Sequence, residues 1–326
     1  MAARPLPPKD KLTVCFAHVA YRMGERFALR ESGIDWFELR TLDELKARVG
    51  EADVLLCSGL WRNDLIAAAP RLAFIQSISA GTDQYSREAL GAAGIRVASA
   101  QGANERAVAE HAIALILALV RQIPMARDNQ AARKWRGMIG EIAKREDELG
   151  GKTLLIVGMG RIGSRLATLA KAFDMRVIAT KRDPSTGAGA ADRVVGEDGL
   201  LAAIAEADFV ALTCPLTPKT ENLIDARALA AMRPAAFLVN VARGKVVNEP
   251  ALIEALEKGA IAGAALDCVW DEPLPAASPL WAMDRVLITP HTAGETRRYE
   301  DNVIDLLMDN LERLWRGDTT LKNQFA

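Results

Sequence analysis

The stretch TLLIVGMGRIGSRLATLAKAFDMRVIAT, Thr153 to Thr180, constrains the fold more than any other part of the chain. An apolar run ends in Gly158-x-Gly160-x-x-Gly163. An amphipathic segment from Ile162 to Ala172 follows, and then a second apolar run, MRVIAT. Strand, glycine turn, helix and strand make a βαβ unit of a parallel sheet, and the glycine spacing in that context is the fingerprint of a dinucleotide site. Gly158 permits the tight turn. Gly160, without a Cβ, lets a pyrophosphate approach the backbone, and Gly163 lets helix and strand pack closely. The helix N-terminus supplies N–H groups and partial positive charge. Such a unit usually opens a domain, yet here it lies near the middle of 326 residues, enough chain for two domains.

The first half reads as α/β as well. LTVCFA (Leu12–Ala17), DVLLCS (Asp53–Ser58), LAFIQS (Leu72–Ser77) and IRVAS (Ile95–Ser99) are strand candidates. Thr41-x-x-Glu44 is a capping box that opens a helix between them. The alternation predicts parallel sheets with helices on both faces. From Asn104, NERAVAEHAIALILALVRQ is a helix apolar over most of its circumference, which demands burial on several sides, by its own domain or by a second copy. After the glycine turn, DFVALTC, AFLVNVA, IAGAALDCV and RVLITP continue the second sheet. A last helix, Thr296 to Trp315, follows once that sheet is complete.

Net charge is −1, which argues against affinity for nucleic acid or a membrane surface through a basic field. The longest apolar run, Ala112 to Val120, is far below the ~18 residues of a membrane span. MAARPLPPKDKL has no apolar core of a signal peptide. Cys15, Cys57, Cys214 and Cys268 form no Cys-x-x-Cys pair and read as reduced core cysteines, so the expected location is the cytoplasm.

Three histidines limit the candidates for acid–base work near neutral pH. His18 and His111 lie in strand-like and helical apolar surroundings and read as structural. His291 follows RVLITP directly, at the carboxyl end of a strand, where α/β sheets place their sites. A histidine acid works best with an anionic partner, and a 2-oxo acid needs a cation for its carboxylate. Glu272 and Arg243 stand after two other strands of the same sheet.

NVARGKVVNEPALIEAL, GAALDCVWDEPLP and LITPHTAGET resemble the C-terminal signatures of the D-isomer-specific 2-hydroxyacid dehydrogenases. SAGTDQY, NERAVAEHAIALILAL, GMGRIGSRLA and CPLTPKTENLI match that family's other signatures in order. The resemblance covers essentially the whole chain. It implies two doubly wound α/β domains, a Rossmann nucleotide-binding domain inserted into a flavodoxin-like substrate domain. The substrate domain would comprise residues 1–103 and 293–326, and the nucleotide domain, with the dimerisation helix, residues 104–292. It implies hydride transfer between NAD(P)H and the carbonyl carbon of a small 2-oxo acid, of the glyoxylate or hydroxypyruvate kind. In the implied roles, Arg243 binds the carboxylate and carbonyl oxygen, Glu272 pairs with His291, and His291 gives or takes the proton. Backbone N–H groups around Ala80 and Gly81 would hold the carboxylate. Cofactor contacts would come from Arg161 and Ile162 beside the three glycines, from Thr213, Cys214 and Pro215, from Val241 and Ala242, and from Asp267, which would orient the nicotinamide carboxamide. No metal is implied. Thr213 stands where the family often has histidine and Trp270 where it often has phenylalanine, and Trp270 bears on the pocket. A homodimer built around the apolar helix is expected, with the stretch after Trp135, including Met138, directed to the partner.

Other readings exist. Dinucleotide-sensing corepressors resemble the family but carry extra tails. Formate-oxidising relatives typically have glutamine where Glu272 stands. A regulated phosphoglycerate dehydrogenase would carry a C-terminal regulatory domain. In SGLWRND, Leu60 and Trp61 suit an apolar substituent, while Arg62 either meets a second anion or is solvated. Lys181 and Arg182 stand where an NAD site has its acidic residue, which predicts preference for NADP(H) over NAD(H), with Thr180 adding a hydroxyl. The competing reading has both cations solvated and Asp183 reaching the ribose.

Overall fold

The structure, a computed structural model, describes residues 4–326. The chain divides into two compact units, one running to Asn104 and resuming at Glu295–Ala326, the other Glu105–Gly294.

The first unit contains β1 (Thr13–Ala17), α1 (Met23–Ala28), β2 (Asp35–Leu39), α2 (Leu42–Arg48), β3 (Val54–Cys57), β4 (Phe74–Ser77), α3 (Arg87–Ala92) and β5 (Arg96–Ala98). Its five strands are parallel in the order β2-β1-β3-β4-β5. Alternate residues serve opposite faces. Val14, Phe16, Val54 and Leu56 enter one core cluster, and Cys15, Ala17, Leu55 and Cys57 the other. Thr41 and Glu44 form the reciprocal capping box at the start of α2.

The second unit contains α4 (Glu105–Val120), α5 (Ile123–Ala131), β6 (Thr153–Val157), α6 (Arg161–Ala172), β7 (Arg176–Thr180), β8 (Arg193–Val195), α7 (Leu200–Glu206), β9 (Phe209–Leu212), α8 (Ala226–Ala231), β10 (Phe237–Asn240), α9 (Glu249–Glu257), β11 (Gly263–Leu266) and β12 (Val286–Ile288). Its seven strands are parallel in the order β12-β11-β10-β9-β6-β7-β8, so strand order reverses at β6. α4 buries Val108, Ala112, Ile113 and Ile116 in the cluster that holds Leu166, Ala167 and Ala170 of α6. Gln122, with φ 49°, turns the chain between α4 and α5. No single helix among the described residues is long and apolar enough to cross a membrane.

The edge strands β2 and β8 carry few fully buried residues, and the apolar-run reading gave neither of them. α10 (Tyr299–Arg316) returns to the first unit, where Val303, Ile304, Leu307 and Leu311 join the core on one face of its sheet. Asn310, fully buried, donates to Gln76 Oε1 at 2.9 Å and accepts from Lys322 N at 2.8 Å. Such a link adds little net energy, but leaving Gln76 unmatched would cost about 1–3 kcal/mol, so it specifies where α10 docks.

Candidate active site

The turn after β6 is built by exclusion. Gly158 has φ +107°, and a Cβ there would lie 2.8 Å from the Cys214 backbone. A Cβ on Gly163 would lie 2.4 Å from Gly158 O. The Gly158 N–H donates to Thr180 Oγ1 at 3.0 Å, and the Thr213 hydroxyl donates to Gly158 O at 2.8 Å. Gly160 differs: nothing lies within 4 Å of its added Cβ. An open concavity therefore stands at the first turn of α6, where helix N–H groups point outward, and it fits a pyrophosphate. Arg161 and Ile162 begin the helix, while Thr213, Cys214 and Pro215 follow β9 across the strand-order reversal. Burial pushes the Cys214 thiol up to about 11, so it stays neutral.

The basic pair divides. Lys181 Nζ donates to Thr186 O at 3.2 Å and Gly187 O at 3.1 Å. Arg182 is exposed and makes no side-chain hydrogen bond or ion pair among the described residues. Asp183 accepts from the N–H and hydroxyl of Ser185, at 3.0 and 2.6 Å, so its carboxylate is engaged within its own turn.

Arg243, Glu272 and His291 follow β10, β11 and β12, which are neighbours in the sheet. Asn240, at the end of β10, donates to Arg243 O at 3.0 Å and Cys268 O at 3.4 Å and accepts from Ala242 N at 3.0 Å. One buried amide thus ties the Arg243 loop, with Val241 and Ala242, to the next strand end. Gly244 packs so closely on the Val269–Trp270 peptide that a Cβ would lie 1.9 Å from Val269 O. Trp270 donates from Nε1 to Val247 O at 2.6 Å, so its ring is a strut between loops.

Glu272 uses both oxygens. Oε1 accepts from Val269 N at 3.2 Å, and Oε2 lies 2.7 Å from His291 Nδ1. Burial alone would raise the Glu272 carboxyl, but the His291 hydrogen bond and charge, the Val269 N–H and the Arg243 guanidinium hold it below the usual range. Cys268 Sγ, Glu272 and His291 offer atoms within 4.8 Å of one another. The His291 imidazole is pushed up to about 10 by hydrogen bonding to Cys268 and then to Glu272, against the opposing effect of burial. His291 has φ 54°, in the left-handed region, where its N–H donates to Asp267 O at 2.9 Å. That conformation turns the side chain out of the strand line.

Sequence reasoning missed the contact of Cys268 with the His–Glu pair, the clamp at Asn240 and the packing of Gly244. Asn240, a polar residue closing an apolar strand, was the one local signal. Asp267 is buried and accepts from Thr289, Thr292 and Ala293, and Thr289 also contacts His111.

Ala80, Gly81 and Trp61 belong to the first unit. The N–H groups of Ala80 and Gly81, just past β4, make no hydrogen bond among the described residues and suit an anion. Trp61 requires a correction. It is 1% exposed, packs in the core against Tyr85 and donates from Nε1 to Asn63, so its indole is a core side chain rather than an exposed one. The indole is large and apolar enough that core burial outweighs solvent or ligand contact. Arg62 donates to Gly59 O and Trp61 O of its own loop. His18 Nδ1 accepts from Ala20 N and Tyr21 N, a structural role. The four cysteines are buried and free.

The family described as D-isomer specific 2-hydroxyacid dehydrogenase, NAD binding domain, matches residues 113–293. A glyoxylate reductase of Pyrococcus furiosus is 35% identical over 298 residues, 87% of this chain and 86% of that protein. A D-3-phosphoglycerate dehydrogenase of Mycobacterium tuberculosis is 36% identical over 272 residues, 82% of this chain but 50% of that protein. The chain spans about half the length of the phosphoglycerate dehydrogenases it matches. Among solved structures, a D-isomer specific 2-hydroxyacid dehydrogenase family protein from Aeromonas salmonicida superimposes with a TM-score of 0.84 at 28% identity, over 97% of this chain and 99% of that one.

The glycines separate folding from ligand binding. Gly158→Ala should lower the melting temperature, since it strains the backbone by about 1–3 kcal/mol and strikes main-chain atoms. Gly160→Ala should melt like the parent protein yet bind NADH and NADPH about tenfold or more weakly in fluorescence titrations. Undiminished binding by Gly160→Ala would show that the concavity does not hold the pyrophosphate.

Proposed function

We propose that the chain, which belongs to the D-isomer specific 2-hydroxyacid dehydrogenase family, interconverts a small 2-oxo acid and its D-2-hydroxy acid. The observation that carries this reading is the His291–Glu272 pair at 2.7 Å, bridging the ends of the two strands that follow that of Arg243 in the sheet, the same sheet as the glycine turn. A nicotinamide dinucleotide, held by Gly158–Gly163 and the first turn of α6, supplies or accepts the hydride when bound. The chain's own residues do the rest. Arg243 is a cation for the substrate carboxylate and carbonyl oxygen. His291, kept protonated through neutral pH by its neighbours, donates its proton to the carbonyl oxygen as charge develops there. In the reverse direction its neutral form is the base. Glu272 fixes the ring and stabilises the imidazolium. Asp267 would accept a hydrogen bond from the carboxamide of a bound nicotinamide. The Ala80 and Gly81 N–H groups suit a carboxylate.

Substrates of the glyoxylate and hydroxypyruvate class agree with the relative named glyoxylate reductase. The preferred cofactor in this reading is NADP(H), with Arg182 as the main partner of the 2′-phosphate. Its guanidinium is exposed and uncommitted, whereas Lys181 is tied to loop carbonyls and Asp183 to Ser185. The assembly is a homodimer. Trp135 (98% exposed), Met138 (102%) and Ile142 (78%) follow α5 and are large apolar side chains left in solvent, which favours cover by a second copy.

His291→Ala and Arg243→Ala should lower kcat/KM for 2-oxo acid reduction by about 10²–10⁴-fold with the fold intact by circular dichroism. The substrate panel is glyoxylate, hydroxypyruvate, pyruvate, phenylpyruvate and 3-phosphohydroxypyruvate. Near-parental rates in either variant would remove that residue from the site, and a clear preference for the phosphorylated acid would overturn the substrate class.

The pH profile has a definite sign. A raised histidine pKa keeps the acid form present until pH rises through about 10, so reduction should hold through neutral pH and fall only in the alkaline range. Oxidation should rise over that same alkaline range. Glu272→Gln removes one of the two contacts that raise the pKa, so both limbs should move to lower pH. Unmoved limbs would refute the pairing.

Charge-assisted hydrogen bonds are worth roughly 1.5–3 kcal/mol, so NADPH should exceed NADH at least about tenfold in kcat/KM. Arg182→Ala should remove most of that preference by raising KM for NADPH, with Lys181→Ala a smaller effect. Equal or better efficiency with NADH in the parent enzyme would refute it.

Light scattering should give a dimer at micromolar concentration, and Trp135→Glu with Ile142→Glu should shift it toward monomer. A monomeric parent protein would exclude the dimer.

A further inference from the structure

The Asp267 carboxylate lies at the end of a directed hydrogen-bond chain that begins on α4. Its Oδ1 accepts from the Thr289 hydroxyl at 2.6 Å and from Thr292 N at 3.0 Å, and its Oδ2 accepts from Ala293 N at 3.2 Å. The Thr289 hydroxyl has one proton, and a carboxylate can only accept, so that proton points to Asp267. The same hydroxyl oxygen lies 3.0 Å from Nε2 of His111. With its proton already directed at Asp267, the hydroxyl must accept there, so Nε2 carries hydrogen. The chain therefore runs from His111 Nε2–H through Thr289 Oγ1–H to Asp267. Direct contact is longer: Nε2 is 3.6 Å from Oδ1, so the threonine is the link. The His111 side chain is 24% exposed and that of Asp267 1%, so the chain runs from a partly wet helix face to a dry carboxylate.

Each donor on Asp267 other than Thr289, among the described residues, is a backbone N–H four or five positions past β12. Those N–H groups set the carboxylate's position but come from the segment that also carries His291. The hydroxyl is the one side-chain donor on Asp267 among the described residues, and the imidazole is its anchor on a separate element. Without that anchor the hydroxyl can turn to water, and Oδ1 loses a short bond in a dry setting, where hydrogen bonds are strongest.

We propose that His111 is a positioning residue for the nicotinamide ring. It locks the Thr289 hydroxyl onto Oδ1 and so fixes the plane of the Asp267 carboxylate, leaving acceptor capacity on Oδ2 for the carboxamide. This rests on the reading of Asp267 given under the proposed function.

The test compares complete dinucleotides with fragments that lack nicotinamide, using the full-length protein. Dissociation constants are measured by calorimetry for NADPH against 2′-phospho-ADP-ribose and for NADH against ADP-ribose, so the result does not depend on the 2′-phosphate. His111→Phe keeps a ring and removes the donor. It should weaken both dinucleotides about five- to tenfold, the size of one hydrogen bond, and leave both fragments within about twofold. His111→Gln, whose amide nitrogen can stand in for Nε2, should recover most of the loss. Asp267→Ala should show the same selective loss, and His111→Phe should add little in that background. Equal weakening of dinucleotide and fragment in His111→Phe would mean general damage and would overturn the proposal, as would no weakening. If Asp267→Ala moves the ratio while His111→Phe does not, His111 has no positioning role. If Asp267→Ala leaves the ratio unchanged, the reading of Asp267 itself fails and takes the proposal with it.

Discussion

Parallel pairing in the second unit ends its strands on one row. Thr180, Val157, Leu212, Asn240, Leu266 and Ile288 are register partners across β7, β6, β9, β10, β11 and β12. The next residue on each strand is Lys181, Gly158, Thr213, Val241, Asp267 or Thr289. Backbone hydrogen bonding thus brings five candidate site residues, and Thr289 with them, to one edge. Parallel strands need crossovers, and these carry the helices away to the faces, so the edge itself stays open to a ligand. The local packing at Gly158, Gly163 and Gly244 only trims that edge, since in each case a Cβ would strike backbone atoms.

Arg243, Glu272 and His291 stand three to six residues beyond the strand ends, where the backbone is no longer held by the sheet. Substitute constraints appear there. Asn240 clamps the Arg243 loop, Val269 N and His291 hold both oxygens of Glu272, and Asp267 O holds the His291 N–H in a left-handed conformation. The His291 and Glu272 side chains are 44% and 37% exposed, so solvent screens their attraction and the pair adds little to folding stability. Its consequence is protonation: the imidazole is raised and the carboxyl lowered, which separates an acid from its anionic partner at neutral pH.

Local order was legible in the sequence wherever one apolar run forms one buried strand. β1, β3, β4, β6, β7, β9, β10, β11 and β12 lie within or on the runs LTVCFA to RVLITP. So does β5, within IRVAS, and both β5 and β12 are edge strands; β2 and β8 were not legible, because charged residues such as Asp35, Glu38 and Arg193 break up their apolar runs. Family resemblance singled out Arg243, Glu272 and His291, and Asp267 with them. It said nothing of their supports. Asn240, Thr289 and His111 bond to partners from 2 to 178 positions away, and no periodicity encodes such a contact. Trp61 failed for the reverse reason. A loop aromatic can face a ligand or the core, and only the packing of Tyr85 and Leu65 around it decides.

Distance from the row also separates what the fold demands from what it leaves adjustable. Lys181 is in the first position past β7, and its ammonium caps the carbonyls of Thr186 and Gly187, so it helps close its own loop. Arg182, one residue farther, is exposed and makes no side-chain hydrogen bond or ion pair among the described residues, so it can change without disturbing the sheet. The same holds in the first unit, where Trp61 is locked in the core while Arg62 beside it is exposed and bonded only to its own loop. Residues on the row serve register and ligand together, so substitution there alters both. Residues one step beyond carry charge that a ligand meets at little cost to folding. Arg182 and Arg62 are therefore positions where charge can change with little consequence for the strand ends, the His291–Glu272 pair or its supports.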